Sequence, residues 1–136
     1  MMTIDPMRWG SALALLAAYG GLCAALLPAC MTVNVTALRA AAAGDASGAA
    51  AARSALQRFA TVAQVLTGSP AASAEDGVAW IQETCKMLHI PGLASYGLTA
   101  ERFAEAIDKG KKSSSMKGNP VALTDAQLAQ ILAMSM

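Results

Sequence analysis

The chain has 136 residues, enough for one domain. It is 55% hydrophobic and 14% charged, against roughly 25% charged for an average soluble domain. A net charge of +1 gives no electrostatic case for nucleic acid as a partner. A domain this small buries a lower fraction of its surface than a large one, so an apolar patch is expected outside, where such patches mark a partner.

Residues 1–8 read as a lead-in and residues 9–136 as one helical domain. Asp5-Pro6 can open a helix, because proline is favoured in the first turn. From Trp9 to Leu38 no side chain is charged, and Ala and Leu dominate. Helix propensity is high there, but Leu13, Leu16, Tyr19, Leu22, Leu26 and Leu27 keep to no single stripe. A helix apolar all round is expected to be covered on all sides, by protein or by lipid.

Three readings fit this stretch. It exceeds the roughly 20 apolar residues that span a bilayer. Arg8, the apolar run and Leu27-Pro28-Ala29-Cys30 also resemble a lipoprotein-type signal cut before Cys30, although Asp5 spoils the positive start. The third reading is the central helix of a soluble helical domain. Pro28 has no backbone donor and marks a place where that helix can bend.

The helix is expected to stop at Gly44, with Asp45-Ala46-Ser47 capping a second from Ala49 to Leu66. Leu56, Phe59, Ala63 and Leu66 share a face there, and Arg53, Gln57 and Gln64 lie off it. Thr67-Gly68-Ser69-Pro70 ends that helix. Ser73 with Asp76 forms a capping box for a third helix, whose inner face carries Val78, Ile81, Cys85 and Leu88. His89-Ile90-Pro91-Gly92 ends it, with His89 in a C-terminal capping role.

Leu93 to Leu98 reads as a connector closing on Gly97. Thr99 is expected to cap a fourth helix from Ala100 to Lys109, with Phe103 and Ile107 inward. Residues 110–120, with Lys111, Lys112 and Lys117, read as a solvated loop without the glycine spacing of a phosphate-binding loop. Thr124 and Gln127 form a capping box for a last helix with Leu128, Ile131 and Leu132 as its stripe. No stretch alternates as a strand would. The expected fold class is all-α, a bundle of five or six helices around a buried apolar central helix.

The chemistry-bearing residues are few. Cys23, Cys30 and Cys85 have no C-x-x-C spacing, and an odd count without a framework suits a reduced, intracellular protein. Cys23 and Cys30 lie about two helical turns apart, too far to bridge. Each cysteine reads as a small buried hydrophobe. His89 is the one histidine, and zinc or iron sites usually take two or three.

Three segments carry a family likeness. Tyr19-Gly20-Gly21-Leu22-Cys23-Ala24-Ala25-Leu26-Leu27-Pro28, followed by Met31 and Asn34, resembles the "HG…NA.LLP…M..N" helix of iron-containing alcohol dehydrogenases. Ile90 to Thr99 resembles their "IP…L…G(V/L)" connector, and Ser114 to Thr124 their "…NP…LT" segment. Order and spacing agree, from about residue 10 to the end.

The resemblance implies a dehydroquinate-synthase-like, two-domain enzyme. An α/β domain binds NAD(P), and a helical domain supplies most ligands to iron or zinc in the cleft between them. The metal polarises an alcohol or aldehyde oxygen while hydride passes to or from the nicotinamide. This chain resembles the later part of the helical domain alone. It departs from the pattern at Tyr19, where the family places a ligating histidine. The expectation is a truncated, degenerate copy with no cofactor, metal site or catalytic residue of its own. It is an oxidoreductase by likeness and inactive by itself.

By the same resemblance, Tyr19 and Cys23 line a pocket near the alcohol oxygen. The apolar helix becomes the buried centre of a soluble, cytoplasmic domain, with no membrane and no nucleic acid as partner. Two associations are expected: a homo-oligomer formed through the apolar cleft face, or a nucleotide-binding partner chain that completes a split alcohol dehydrogenase. A secreted protein cut before Cys30 is the remaining alternative.

Overall fold

A computed structural model describes the backbone of residues 6–44 and 47–136, and the side chains of residues 18–44 and 47–136. Five α-helices follow in order: α1 Pro6–Ala42, α2 Ala49–Thr67, α3 Ala74–Met87, α4 Phe103–Lys112 and α5 Asp125–Met134. Short 3₁₀ turns at Leu93–Tyr96, Ala100–Arg102 and Ser114–Gly118 join the later ones. There is no strand among the described residues. The fold is the expected all-α bundle.

Helix α1 is the pillar, and it serves two cores. On one side Val35 and Leu38 meet Ala52, Ala55 and Leu56 of α2 and Ala74 and Val78 of α3. On the other, Ala29 and Val33 meet Leu128 and Ile131 of α5. Leu38 is 1% exposed, and a fully buried leucine contributes about 2 kcal/mol. The cover is uneven along the helix. Ala29, Val33, Val35 and Leu38 are buried, whereas Tyr19, Cys23 and Leu27 are exposed. Burial is concentrated where α2, α3 and α5 pack against the second half of α1, and even there Leu27, Thr36 and Ala40 stay exposed, so the expectation of cover on all sides is not met.

Pro28 sits within α1 and does not break it. A residue at that position would normally donate its N–H to the carbonyl of Ala24. Proline has no such donor. The Cys85 thiol of α3 lies 3.7 Å from the Ala24 oxygen and donates to it instead. On the next turn Thr32 donates its hydroxyl to the Pro28 carbonyl at 2.8 Å. Polar links also tie α1 to its neighbours. Arg39 grips Glu75 through two N–H···O bonds of 2.8 Å, which hold the Glu75 carboxyl down at about 2. Arg53 of α2 donates to the Ala42 carbonyl at the end of α1.

The capping boxes form as their residues dictate. Ser73 and Asp76 exchange bonds at the start of α3, and Thr124 and Gln127 do so at the start of α5. Several expectations need correction. Helix α2 is preceded by Gly48 with no side-chain cap, so Ser47 does not fill that role; Asp45 and Ala46 lie outside the described residues. Thr99 makes no cap bond to a backbone N–H. Its hydroxyl bonds Glu101 and lowers that carboxyl instead. Residues 100–102 form a 3₁₀ turn before α4 begins.

The expected loop from Gly110 is partly helical, since α4 runs on to Lys112. The i,i+4 pairs Glu105–Lys109 and Asp108–Lys112 support that extra turn, and cations suit a helix C-terminus. Leu88 does not join the inner face of α3. It lies past the last helical residue and is 66% exposed.

The end of α3 is a Schellman arrangement. The His89 N–H bonds the Lys86 carbonyl and the Ile90 N–H bonds the Cys85 carbonyl, both at 3.0 Å. His89 thereby occupies the left-handed region at φ 53°, a place glycine takes at less cost. His89→Gly should therefore raise unfolding stability by about 0.5–1 kcal/mol, read by urea denaturation.

Helices α2 and α3 approach closely at Gly77. A Cβ there would lie 2.8 Å from Ala63 Cβ and 3.1 Å from Ala63 Cα. Neither atom can swing aside. Alanine should gain about 1 kcal/mol of helix propensity over glycine. The overpacking should outweigh that gain, so Gly77→Ala is expected to lower stability by about 1–2 kcal/mol in the same measurement.

Candidate functional site

Successive residues of an α-helix turn by about 100°, so Tyr19, Cys23, Leu26, Cys30 and Asn34 fall within one arc of roughly 80° on α1. This stripe passes through two environments. Its first part, Tyr19 and Cys23, is open: Tyr19 is 69% exposed. Leu27 extends the open surface and is also exposed. Its second part, from Leu26 onward, is covered by α4 and α5. The structure thus places both sequence-predicted site residues on one face, a turn apart. None of the cavities found among the described residues is lined by either of them.

Two features beside the stripe were not foreseen. The Tyr96 phenol from the 3₁₀ turn lies against α1 at Gly21, where a Cβ would meet its oxygen at 2.0 Å. Tyr96, Leu22, Leu26 and Leu98 form the apolar part of a groove of about 360 Å³, rimmed by Arg102 and Glu105. The only sequence signal for it was the Gly20-Gly21 pair, which lets an aromatic ring approach the helix.

The second feature is a half-open, mainly apolar cavity of about 260 Å³ between α1, α4 and α5. Leu26, Cys30 and Asn34 supply its α1 wall. Asn34 is 6% exposed and fully engaged on its oxygen side. Its Nδ2 donates to the Cys30 carbonyl at 2.9 Å, and its Oδ1 accepts from Asn119 Nδ2 at 2.7 Å. Asn119 also donates to the Val121 carbonyl at 2.7 Å. This pair pins the segment before α5 onto α1. The sequence showed both asparagines inside the quoted motifs but nothing that would pair them across 85 positions.

The three thiols are free and differ in setting. Cys23 is exposed, and Cys30 and Cys85 are half-buried, so the expectation of three buried hydrophobes fails for Cys23. Burial pushes the Cys30 thiol above its ordinary range. Among the described residues no group of three or more His, Cys, Asp or Glu side chains could hold a metal ion. His89 is exposed at the end of α3 and joins no such cluster.

Comparison with known proteins adds one match. The family model described as "Fe-containing alcohol dehydrogenase family, C-terminal" matches residues 14–136. No curated protein matches. No solved structure matches either.

The thiolate is the reactive form, and burial disfavours it at Cys30. Brief iodoacetamide labelling of the native chain near pH 7.5 should modify Cys23 at least fivefold faster than Cys30, read by peptide mass spectrometry. Equal labelling in 6 M guanidinium is the control.

Proposed function

The chain belongs to the iron-containing alcohol dehydrogenase family, as its C-terminal helical part, and from that premise we propose that it is a non-catalytic helical domain that associates through the open face of α1. The carrying observation is the exposed apolar run Tyr19, Cys23 and Leu27 on that face. Tyr19 stands where the resemblance places a ligating histidine. A neutral imidazole offers a lone pair to iron or zinc at neutral pH, whereas a phenol must first lose a proton from a group of pKa about 10. Cys23, one turn on, makes no three-ligand set with any described side chain. The residues present do not fit the family's metal.

Nor do these residues fit NAD(P). There is no glycine-rich turn between a strand and a helix, and no strand among the described residues to carry one. The reading is therefore one of association and not of chemistry.

The open face carries Tyr19, Cys23 and Leu27 over two turns, and a partner that covered it would remove that area from water. A second copy of the chain is the favoured partner, because like faces of uncharged side chains match without any charge to leave unpaired. Placement in the cytoplasm accords with free thiols. Helix α1 includes a stretch, Ala18–Ala42, long and apolar enough to cross a membrane. Its second half is taken up by the two cores, which supports a protein-clad role over a lipid-facing one. The same packing speaks against cleavage before Cys30, which would remove Ala29 from the core and Pro28 from its bond with Thr32.

A second reading rests on the same exposure. A separate nucleotide-binding chain would dock on this face, and Tyr19 and Cys23 would then line an alcohol pocket.

Light scattering coupled to size exclusion, with metal analysis of the same peak, decides between these readings. The expected result is a dimer holding far less than one iron or zinc per chain, with no NAD-dependent alcohol oxidation. Leu27→Glu should shift it to monomer while the circular dichroism is retained. A wild-type monomer at 50 µM would overturn the association, and stoichiometric metal would overturn the lost site. Alcohol oxidation that appears only on adding an α/β nucleotide-binding chain would establish the second reading in its place.

A further inference from the structure

The half-open cavity between α1, α4 and α5 lies further along the stripe than the exposed face and has no part in the reading above. Its wall contains no charged side chain. Leu26, Ile107, Leu123, Leu128 and Ile131 make most of it, and Met116 adds a flexible side chain that can adjust to an occupant. An apolar cavity of roughly 150 Å³ is large enough for benzene. At about 260 Å³ this one has room for a bicyclic ring system.

One side of the cavity is polar. Asn34 and Asn119 both line it and are bonded to each other. Asn34 Nδ2 uses one hydrogen on the Cys30 carbonyl, and Asn119 Nδ2 uses both of its own on Asn34 and Val121. Among the described residues, the second Asn34 hydrogen and the Asn119 amide oxygen have no partner. One donor and one acceptor thus remain on adjoining amides. A single hydroxyl can accept from the first and donate to the second. A charged group would lose its hydration with no counter-charge in the wall.

We infer that this cavity is a binding site for a compact neutral compound with a fused-ring or similar apolar body and one hydroxyl-type group. The body fills the space between Leu26, Ile107 and Ile131, and the polar group sits at the asparagine pair. The Cys30 carbonyl fixes Asn34, and Val121 fixes Asn119, so the two amides are held in place before a ligand arrives.

Titration of the ¹⁵N-labelled full chain with 2-naphthol, followed by amide shifts, tests this. Saturable shifts confined to residues around the cavity are expected. Naphthalene should bind at least threefold more weakly, and naphthalene-2-sulfonate at least tenfold more weakly. Cys30→Leu and Ala106→Met each place extra volume in the cavity and should weaken 2-naphthol at least tenfold in protein that remains folded by circular dichroism. Asn119→Leu should abolish the preference for 2-naphthol over naphthalene. Absence of saturable shifts, shifts centred on Tyr19 and Cys23, sulfonate binding as tight as naphthol, or unchanged affinity in both filled variants would each overturn the site.

Discussion

The whole molecule depends on covering one helix that has no polar face. Amphipathic helices turn a stripe inward and leave the rest to water. Helix α1 has no charged side chain between Trp9 and Leu38, and its neighbours reach it from two sides. They do so with small residues. Ala52, Ala55 and Ala63 of α2 and Ala74 and Gly77 of α3 let backbones approach closely, and the Gly77 to Ala63 contact leaves no room for one more methyl. Close approach gives dense contact with little side-chain entropy lost. It also explains how a chain with 4% aromatic residues assembles a core at all.

Pro28 shows how the covering and the backbone are joined. A proline in a helix interior costs about 3 kcal/mol or more, partly through the carbonyl it leaves without a donor. Here that carbonyl, on Ala24, faces α3 and meets the Cys85 thiol. Thiols are weak donors, so the bond offsets a fraction of that cost. Leu26 before the proline and Ala29 and Val33 beyond it pack in one core, which holds both sides of the proline in one helical line.

Much of this was legible in the residues. Ser73 with Asp76 and Thr124 with Gln127 announce their helices because a cap is a local bond, complete within four residues. The limits of α4 were not legible, since the turn from Lys109 to Lys112 rests on ion pairs to Glu105 and Asp108 and on a Lys111 bond to Asp125, 14 positions away. The exposed half of α1 was hidden for a different reason. With no periodicity, Tyr19 to Leu27 is as free of charge as Pro28 to Leu38, and the reach of the other helices decides where cover ends. His89 caps the end of α3 as expected, and it does so through its backbone, which takes the positive φ of that turn. Tyr19 and Cys23 were placed on a common face by spacing and resemblance, and they share one, but the cavity further along needed Asn119 from a distant segment.

The stripe on α1 gives these observations a single physical meaning. From Tyr19 to Asn34 one face of one helix passes from water into a half-open, mainly apolar cavity. In the family pattern its outer end would carry a histidine, whose imidazole has reason to stay solvated or metal-bound. With tyrosine there, the outer end is an amphipathic ring beside a thiol and a leucine. Such a surface is worth roughly 25 cal/mol for each Å² of apolar area that a partner covers. Under the proposed association, tyrosine at this position makes the outer end a surface that a protein partner can cover, while at the inner end Asn34 is held between the Cys30 carbonyl and Asn119.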